Sequence, residues 1–375
     1  MKIKALNVEN VSSLRDVRIP FRPLTILVGP NASGKSNVLG ALELFKVLML
    51  NKNLPDKNNL SEWFWAGKDV NTDRLQLHME SEDEPYSDKL STIEYKIALQ
   101  IDNPRLSSEE LLINDSPIIS LKNGTGEIGD EDGGNKTTYS SGELALKSAG
   151  AYGNKPVTKK FSEFLKGLEF YNFDPNAIKA GLNAEGGIPS RLDNHGLFLA
   201  RLLYGWHEAQ KDRFQSVNRS LGKYLNFSLD FLEEKEKLCL NEGYQKTIPL
   251  TSASDGTLRL LAYYTLLNQE ELPPFIAIEE PERSLHPAAL QEVAALLQRL
   301  SERTQVVITT HSSQLLDSFD RDSLGKDLGV ILLSNEKGKG TQVINIEHAQ
   351  NNSESLQGWI DDFGIGSAIF DSALV

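Results

Sequence analysis

Four short stretches of the 375-residue chain hold residues whose types and spacing could do chemistry. The first is Gly29-Pro30-Asn31-Ala32-Ser33-Gly34-Lys35-Ser36, which matches G-x-x-x-x-G-K-[ST]. Glycines let the backbone curl until amide N–H groups converge on phosphate oxygens, and a helix start just beyond adds a favourable dipole. Lys35 then reaches the β- and γ-phosphates, Ser36 ligates magnesium, and the binding stretch runs on to Asn37. The second stretch, Phe275-Ile276-Ala277-Ile278-Glu279-Glu280-Pro281-Glu282, delivers two adjacent carboxylates from the end of an apolar run. One can hold magnesium and the other can orient and polarise an attacking water, their repulsion offset by the cation. The third, Val306-Val307-Ile308-Thr309-Thr310-His311-Ser312-Ser313, sets His311 where it can touch a γ-phosphate or that water. The fourth, Thr251 to Arg259, reads by itself as an ordinary capped helix start with Ser254 or Asp255 as the cap.

The elements that must position these groups are legible around them. Leu24–Val28 is a short apolar run ending in Gly29-Pro30, which suits a buried strand feeding a turn. From Asn37 to Leu50, Val38, Leu39, Ala41, Leu42, Leu44, Phe45 and Leu48 recur at helical spacing. Strand, turn and helix are thus in register for a phosphate cradle. Residues 256–269 are expected to form an apolar helix, 275–278 a buried strand, 287–300 a helix, and 305–310 another buried strand. Residues 329–333 and 341–346 suggest a closing hairpin, and residues 1–30 two or three strands. Within 73–101, Leu75–Met79 and Ile93–Leu99 alternate as antiparallel neighbours would. Residues 51–60 read as a polar connector, and 122–155, rich in Gly, Asn, Ser, Lys and Asp, as a flexible loop or insertion. Its Asp130-Glu131-Asp132-Gly133-Gly134-Asn135 lacks the ligand spacing of a twelve-residue calcium loop. Residues 195–225 look helical, anchored by Leu197, Leu199, Leu202 and Leu203, with charged residues at 233–237. The expected organisation is 1–180 with the cradle and a β-rich region, 181–245 as a helical lobe or insertion, and 246–375 with the carboxylates and His311.

Composition narrows the class. Hydrophobic residues are 39% and charged residues 24%, as in a soluble globular protein with a sizeable core. Lys and Arg number 39 against 52 Asp and Glu, a net charge of −13, which repels DNA phosphates on average. Cys239, the single cysteine, excludes an intrachain disulfide and a multi-cysteine zinc site. No long apolar run suggests a membrane span and the N-terminus lacks a signal-peptide core, so a cytoplasmic protein with no membrane partner is expected. Neither an internal repeat nor a long heptad array is present.

In order and content the four stretches resemble the ABC-class ATPases, on the branch of RecF, structural-maintenance-of-chromosomes (SMC) proteins and the overcoming-lysogenisation-defect (OLD) nucleases. Ile3–Asn10 followed by Leu24–Asn31 is similar to that branch's N-terminus. Glu279-Glu280-Pro281-Glu282, Leu285-His286-Pro287 and Thr310-His311-Ser312 resemble its compact stand-alone ATPases. The resemblance implies an α/β P-loop NTPase fold, an ABC-type head with a mixed-sheet lobe and a helical lobe. It implies ATP and Mg2+ as cofactors, Glu279 on the magnesium side, Glu280 as catalytic base, His311 as switch histidine, and Lys35 on the phosphates. Ser254, Asp255 and Gly256 match the signature that, in this class, caps the γ-phosphate held by the other chain of a pair. Ala253 and Asp255 depart from its usual Leu-Ser-Gly-Gly pattern. Ser284, Leu285 and His286 fall at the D-loop, which in this class lies between the paired chains, and Gln76 or Gln100 could be the Q-loop glutamine. The implied protein is an ATP-gated homodimer, a motor or sensor in DNA repair or phage defence, with DNA or a separate effector protein as partner. The alternative is a slowly hydrolysing switch that recruits a protein effector. The chain ends soon after the last expected strand, so no C-terminal nuclease domain of the OLD type is expected.

Overall fold

Two antiparallel strands open the chain, β1 (Lys2–Val11) and β2 (Leu14–Pro20), paired in the register Val8↔Val17 with alternate residues buried. The computed structural model describes residues 1–65, 74–83, 90–100, 104–182, 186–225, 227–232, 237–241, 243, 246–351 and 353–370. Next comes β3 (Leu24–Val28), buried at every position, which turns directly into α1 (Lys35–Leu50). After α2 (Lys57–Glu62) the chain runs back and forth through β4 (Arg74–Asp83), β5 (Ser91–Gln100), β6 (Arg105–Ile113), β7 (Ser116–Lys122), β8 (Thr125–Gly129) and β9 (Lys136–Ser140). Then follow α3 (Leu146–Ala149), α4 (Pro156–Lys166), β10 (Leu168–Tyr171), α5 (Pro175–Gly181), α6 (Leu199–Ala209) and α7 (Lys211–Leu225). A small three-stranded sheet, β11 (Ser228–Leu232), β12 (Lys237–Asn241) and β13 (Ile248–Pro249), precedes α8 (Asp255–Leu267). The remainder is β14 (Phe275–Glu279), α9 (Leu290–Ser301), β15 (Gln305–Thr310), α10 (Ser313–Asp317), β16 (Leu328–Glu336), β17 (Gly340–Asn345), α11 (Ile346–Asn351), α12 (Glu354–Phe363) and α13 (Ile365–Phe370).

Two large sheets organise the molecule. One has eight antiparallel strands in the order β2-β1-β4-β5-β6-β7-β8-β9. The other runs β10-β14-β15-β3-β16-β17, parallel except for β17. Because side chains alternate along a strand, this sheet faces two cores. Leu24, Ile26 and Val28 of β3 pack with α6, α8 and α9, whereas Leu27 joins α1 and the eight-stranded sheet. A sheet covered on both faces explains why β3 and β15 are buried at every position and β14 at all but its last. It also brings the ends of β3, β14 and β15 side by side.

Several expectations need correction. Residues 122–155 are not a loop: they hold β8, β9 and α3, and the acidic run caps its neighbours. Glu131 accepts from Val157 N at 3.1 Å and Thr158 N at 2.6 Å at the start of α4, while Asp130 accepts from Lys155 Nζ at 2.6 Å. The helical stretch 195–225 is two helices separated at Gln210. The connector 51–60 contains the start of α2, and three short helices follow β17. Residues 233–236 of the charged run and 371–375 at the C-terminus lie outside the described residues. β4 and β5 pair antiparallel with Leu77 opposite Ile97, and β16 and β17 form the closing hairpin.

Candidate nucleotide site

The turn between β3 and α1 is shaped by its glycines. Gly29 has φ +154, and a Cβ there would sit 2.1 Å from Leu333 O; Gly34 has φ +104, and its Cβ would meet Thr341 Oγ1 at 2.2 Å. Lys35 folds back across the turn, donating to Gly29 O at 2.8 Å and Pro30 O at 2.9 Å. Burial lowers its pKa from the usual lysine range, while the charges of Glu280 and Glu282 pull it upward. Ser33 Oγ is buried without a hydrogen-bond partner among the described residues. Asn37 Nδ2 donates to Ser13 Oγ at 2.6 Å, and Asn335 Nδ2 to Ala32 O at 3.2 Å.

A cavity of about 520 Å3 opens over this turn. Asn31, Ala32, Ser33, Gly34, Lys35, Ser36 and Asn37 line it, and Glu279 and Glu280 face them from the end of β14. Parallel pairing of β14, β15 and β3 is what brings the carboxylates to the turn. Glu280 is held with φ 42, an uncommon conformation for a residue with a Cβ, by N–H bonds to Thr309 O at 3.0 Å and Thr309 Oγ1 at 3.2 Å. His311 Nδ1 lies 3.3 Å from Glu280 Oε1 and 4.0 Å from Glu282 Oε1. It lines a neighbouring cavity of about 450 Å3 with Glu282, Arg283, Ser284 and Leu285, not the cradle itself.

These residues fit a nucleoside triphosphate with magnesium. The glycine turn presents amides, Lys35 a cation, and Ser36 with Glu279 a hydroxyl and a carboxylate. Among the described residues no group of three His, Cys, Asp or Glu is arranged to hold a metal. A hydroxyl and one or two carboxylates completed by phosphate oxygens and water is the coordination that magnesium favours.

Not every expected residue converges here. Ser254, Asp255 and Gly256 begin α8 and are not among the residues lining the cavity. Ser254 is the cap, its Oγ accepting from Thr257 N at 3.1 Å, and Asp255 pairs with Lys179 Nζ at 3.0 Å. Gln76 and Gln100 lie in β4 and β5, also outside the lining. Conversely, Ser13 and Asn335 line the cavity although no motif pointed to them, and Thr309, inside the third stretch, lines it although no role was expected of it. Thr309 is the residue two before His311 on an apolar strand, a signal available in the sequence. Ser13 and Asn335 come from a turn and a strand end far along the chain, where no spacing marks them.

Comparison with known proteins places the chain in a family. Residues 24–317 match the family model described as "AAA domain, putative AbiEii toxin, Type IV TA system". The chain belongs to this family. The matched span of this AAA-family chain includes the glycine turn, both carboxylates and His311. A 42-residue segment is 45% identical to an OLD nuclease of Thermus scotoductus, covering 11% of this chain and 8% of that protein. Solved SMC heads share the fold. The SmcHead bound to the C-winged helix domain of ScpA has a TM-score of 0.55 at 15% identity, covering 92% of this chain and 97% of that one. A Pyrococcus furiosus Smc head with an extended coiled coil scores 0.54 at 12% identity, covering 95% and 99%. The Thermotoga maritima SMC head scores 0.50 at 15% identity, covering 92% and 99%. The AAA-family chain thus has the fold of SMC heads and shares a 42-residue segment with an OLD nuclease. Among its described residues no helix is long and apolar enough to cross a membrane.

Proposed function

We propose that the protein hydrolyses ATP in the cradle cavity and does so as a nucleotide-gated pair of identical chains. The observation that carries this reading is that Lys35, Ser36, Glu279 and Glu280 line one cavity. Lys35 leaves the carbonyls of Gly29 and Pro30 for the β- and γ-phosphates, and the glycine-turn amides hold the remaining oxygens. Ser36 and Glu279 would hold magnesium, which when bound offsets phosphate charge. Glu280 takes a proton from water as the water oxygen bonds to the γ-phosphorus, and the bond from that phosphorus to the bridging oxygen of ADP breaks. His311, beside Glu280, steadies its carboxylate. Ser254, Asp255 and Gly256 stand outside their own chain's cavity, which supports their offering the start of α8 to the γ-phosphate in a second copy.

The experiment is ATP turnover by the purified protein with and without double-stranded DNA, alongside Lys35→Ala and Glu280→Gln. Turnover lost in both variants supports the hydrolytic reading, and stimulation by DNA supports a motor or sensor acting in repair or defence. Turnover that survives Glu280→Gln removes that residue from the role of base. A second reading, a slow switch that recruits a protein effector, draws on the net charge of −13 and on an SMC head solved with a ScpA domain bound. ATP-driven pairing of chains without measurable turnover would favour it.

A further inference from the structure

Among the described residues, a cation with no carboxylate partner lies inside the protein just over one turn into α8. Arg259 is 3% exposed, and its Nε and Nη1 have no hydrogen-bond partner among the described residues. Tyr263, one turn further along, is buried beside Arg259, and among the described residues its Oη has no other hydrogen-bond partner. Glu282, in the turn after β14, carries the complementary defect. Its Oε1 accepts from Thr310 Oγ1 at 2.5 Å, whereas its buried Oε2 accepts from nothing. The Tyr263 hydroxyl feels both charges: burial dominates in raising its pKa, Arg259 works against that rise and Glu282 adds to it. Burial pushes the Glu282 carboxyl above the usual carboxylate range, and the Thr310 hydroxyl offsets part of this.

A buried guanidinium that meets a neutral hydroxyl but no carboxylate destabilises the arrangement it sits in. Its surroundings show what it can act on. Glu282 belongs to a turn bounded by two residues in the left-handed region, Glu280 at φ 42 and Ser284 at φ 64, so the turn is strained at both ends. That turn reaches the chemistry, because Glu282 Oε1 is 4.0 Å from His311 Nδ1, itself 3.3 Å from Glu280 Oε1. The start of α8 presses on the same turn, since a Cβ on Gly256 would sit 2.8 Å from Ser284 O.

We propose that Arg259 is a positioning residue for hydrolysis, which takes Glu282 as its counter-ion when the nucleotide-bound site closes and so leaves His311 to Glu280 alone. In the arrangement described, Glu282 and Glu280 share His311, and Arg259 Nε and Nη1 and Glu282 Oε2 have no hydrogen-bond partner among the described residues. Pairing the two satisfies both at once. A displacement of the α8 start, the segment offered to a second copy, is thereby passed through side chains to the catalytic carboxylate. The inference rests on the ATPase reading above.

Five proteins test it: wild type, Arg259→Met, Arg259→Lys, Glu282→Gln and the double variant that joins Arg259→Met with Glu282→Gln. Steady-state turnover should show kcat lowered about tenfold or more in Arg259→Met, with KM within about twofold. Glu282→Gln should lose a similar factor, and the double variant no more than either single change. Arg259→Lys should restore part of kcat. Without nucleotide, the thermal midpoint of Arg259→Met should equal or exceed that of wild type, because methionine fills the space without burying a charge. A non-hydrolysable ATP analogue should raise the midpoint less in each single variant, and no less again in the double. Wild-type kcat in Arg259→Met, multiplicative losses, or a lower midpoint without nucleotide would each overturn the proposal. Absence of turnover in wild type would instead sink the ATPase reading. The analogue series then decides alone, with additive shifts refuting the pairing and non-additive shifts upholding it.

Discussion

Gly34 has φ +104, and a Cβ there would lie 2.2 Å from Thr341 Oγ1 and 3.0 Å from Ser13 Oγ. Gly34→Ala should therefore lower stability by about 1–3 kcal/mol and weaken ATP binding together. Denaturant titration with a nucleotide-binding isotherm checks both, and a variant with unchanged affinity would refute the role given to the turn. A different residue governs pH dependence. Glu109 is fully buried, accepting from Tyr95 Oη and Leu146 N at 2.9 Å and from Ala145 N at 2.6 Å, yet burial raises its pKa to about 7. The folded state then holds this proton more tightly than the unfolded chain does, whose carboxyl titrates near 4.5. Its stabilising contribution is complete below about 4.5 and is lost as pH rises through about 7, on the order of 3 kcal/mol. Between pH 5 and pH 8, the urea midpoint should fall more in wild type than in Glu109→Gln. Equal falls would show that Glu109 does not titrate there. The glycine turn was legible because its chemistry depends on spacing along one segment. Glu109 was not, because nothing in a strand's alternation says that one of its inward positions is a carboxylate.

At the scale of elements, α8 depends on its first residues. Ser254 Oγ accepts from Thr257 N at 3.1 Å, so Ser254→Ala should cost about 1 kcal/mol and leave nucleotide binding by a single chain unchanged. Thermal unfolding and an ADP isotherm separate the two, and weakened ADP binding would place Ser254 nearer its own chain's cradle than the structure does. β3, α1, β14 and β15 were legible as continuous apolar runs or helical stripes because both faces of their sheet are covered. β8 and β9 were not. Lys136–Ser140 is mostly exposed and polar at the sheet edge, so no alternation betrays it, and its backbone pairing with β8 alone makes it a strand. Glycines at positive φ, Gly124 and Gly133, suited a loop as well as the tight turns they occupy. The acidic run beside them resembles a ligand set in composition, but its carboxylates are spent on Lys155 and on the backbone of α4.

At the scale of the whole molecule, two chains of net charge −13 must approach each other for the paired reading to hold. Long-range repulsion is screened by salt, so ATP-driven pairing of Glu280→Gln should strengthen as ionic strength rises from about 0.02 M to about 0.2 M. Sedimentation of the variant at both salt concentrations measures this, and pairing that weakens with salt would mean that complementary charges dominate the interface. The order of strands has a consequence of another kind. β3 lies between β15 and β16, and the Gln305 side chain bonds Ile3 N at 2.8 Å and Ile3 O at 2.7 Å. The glycine turn emerges early from a ribosome, but the strands that flank its stem come from the far end of the chain. A nascent chain therefore carries an unfinished cradle until β15 and β16 have been made, and such distant pairing is slow to form. Nucleotide capture thus reports that β16 is in place, and a protein cut short before β16 leaves one edge of β3 open for pairing with other chains.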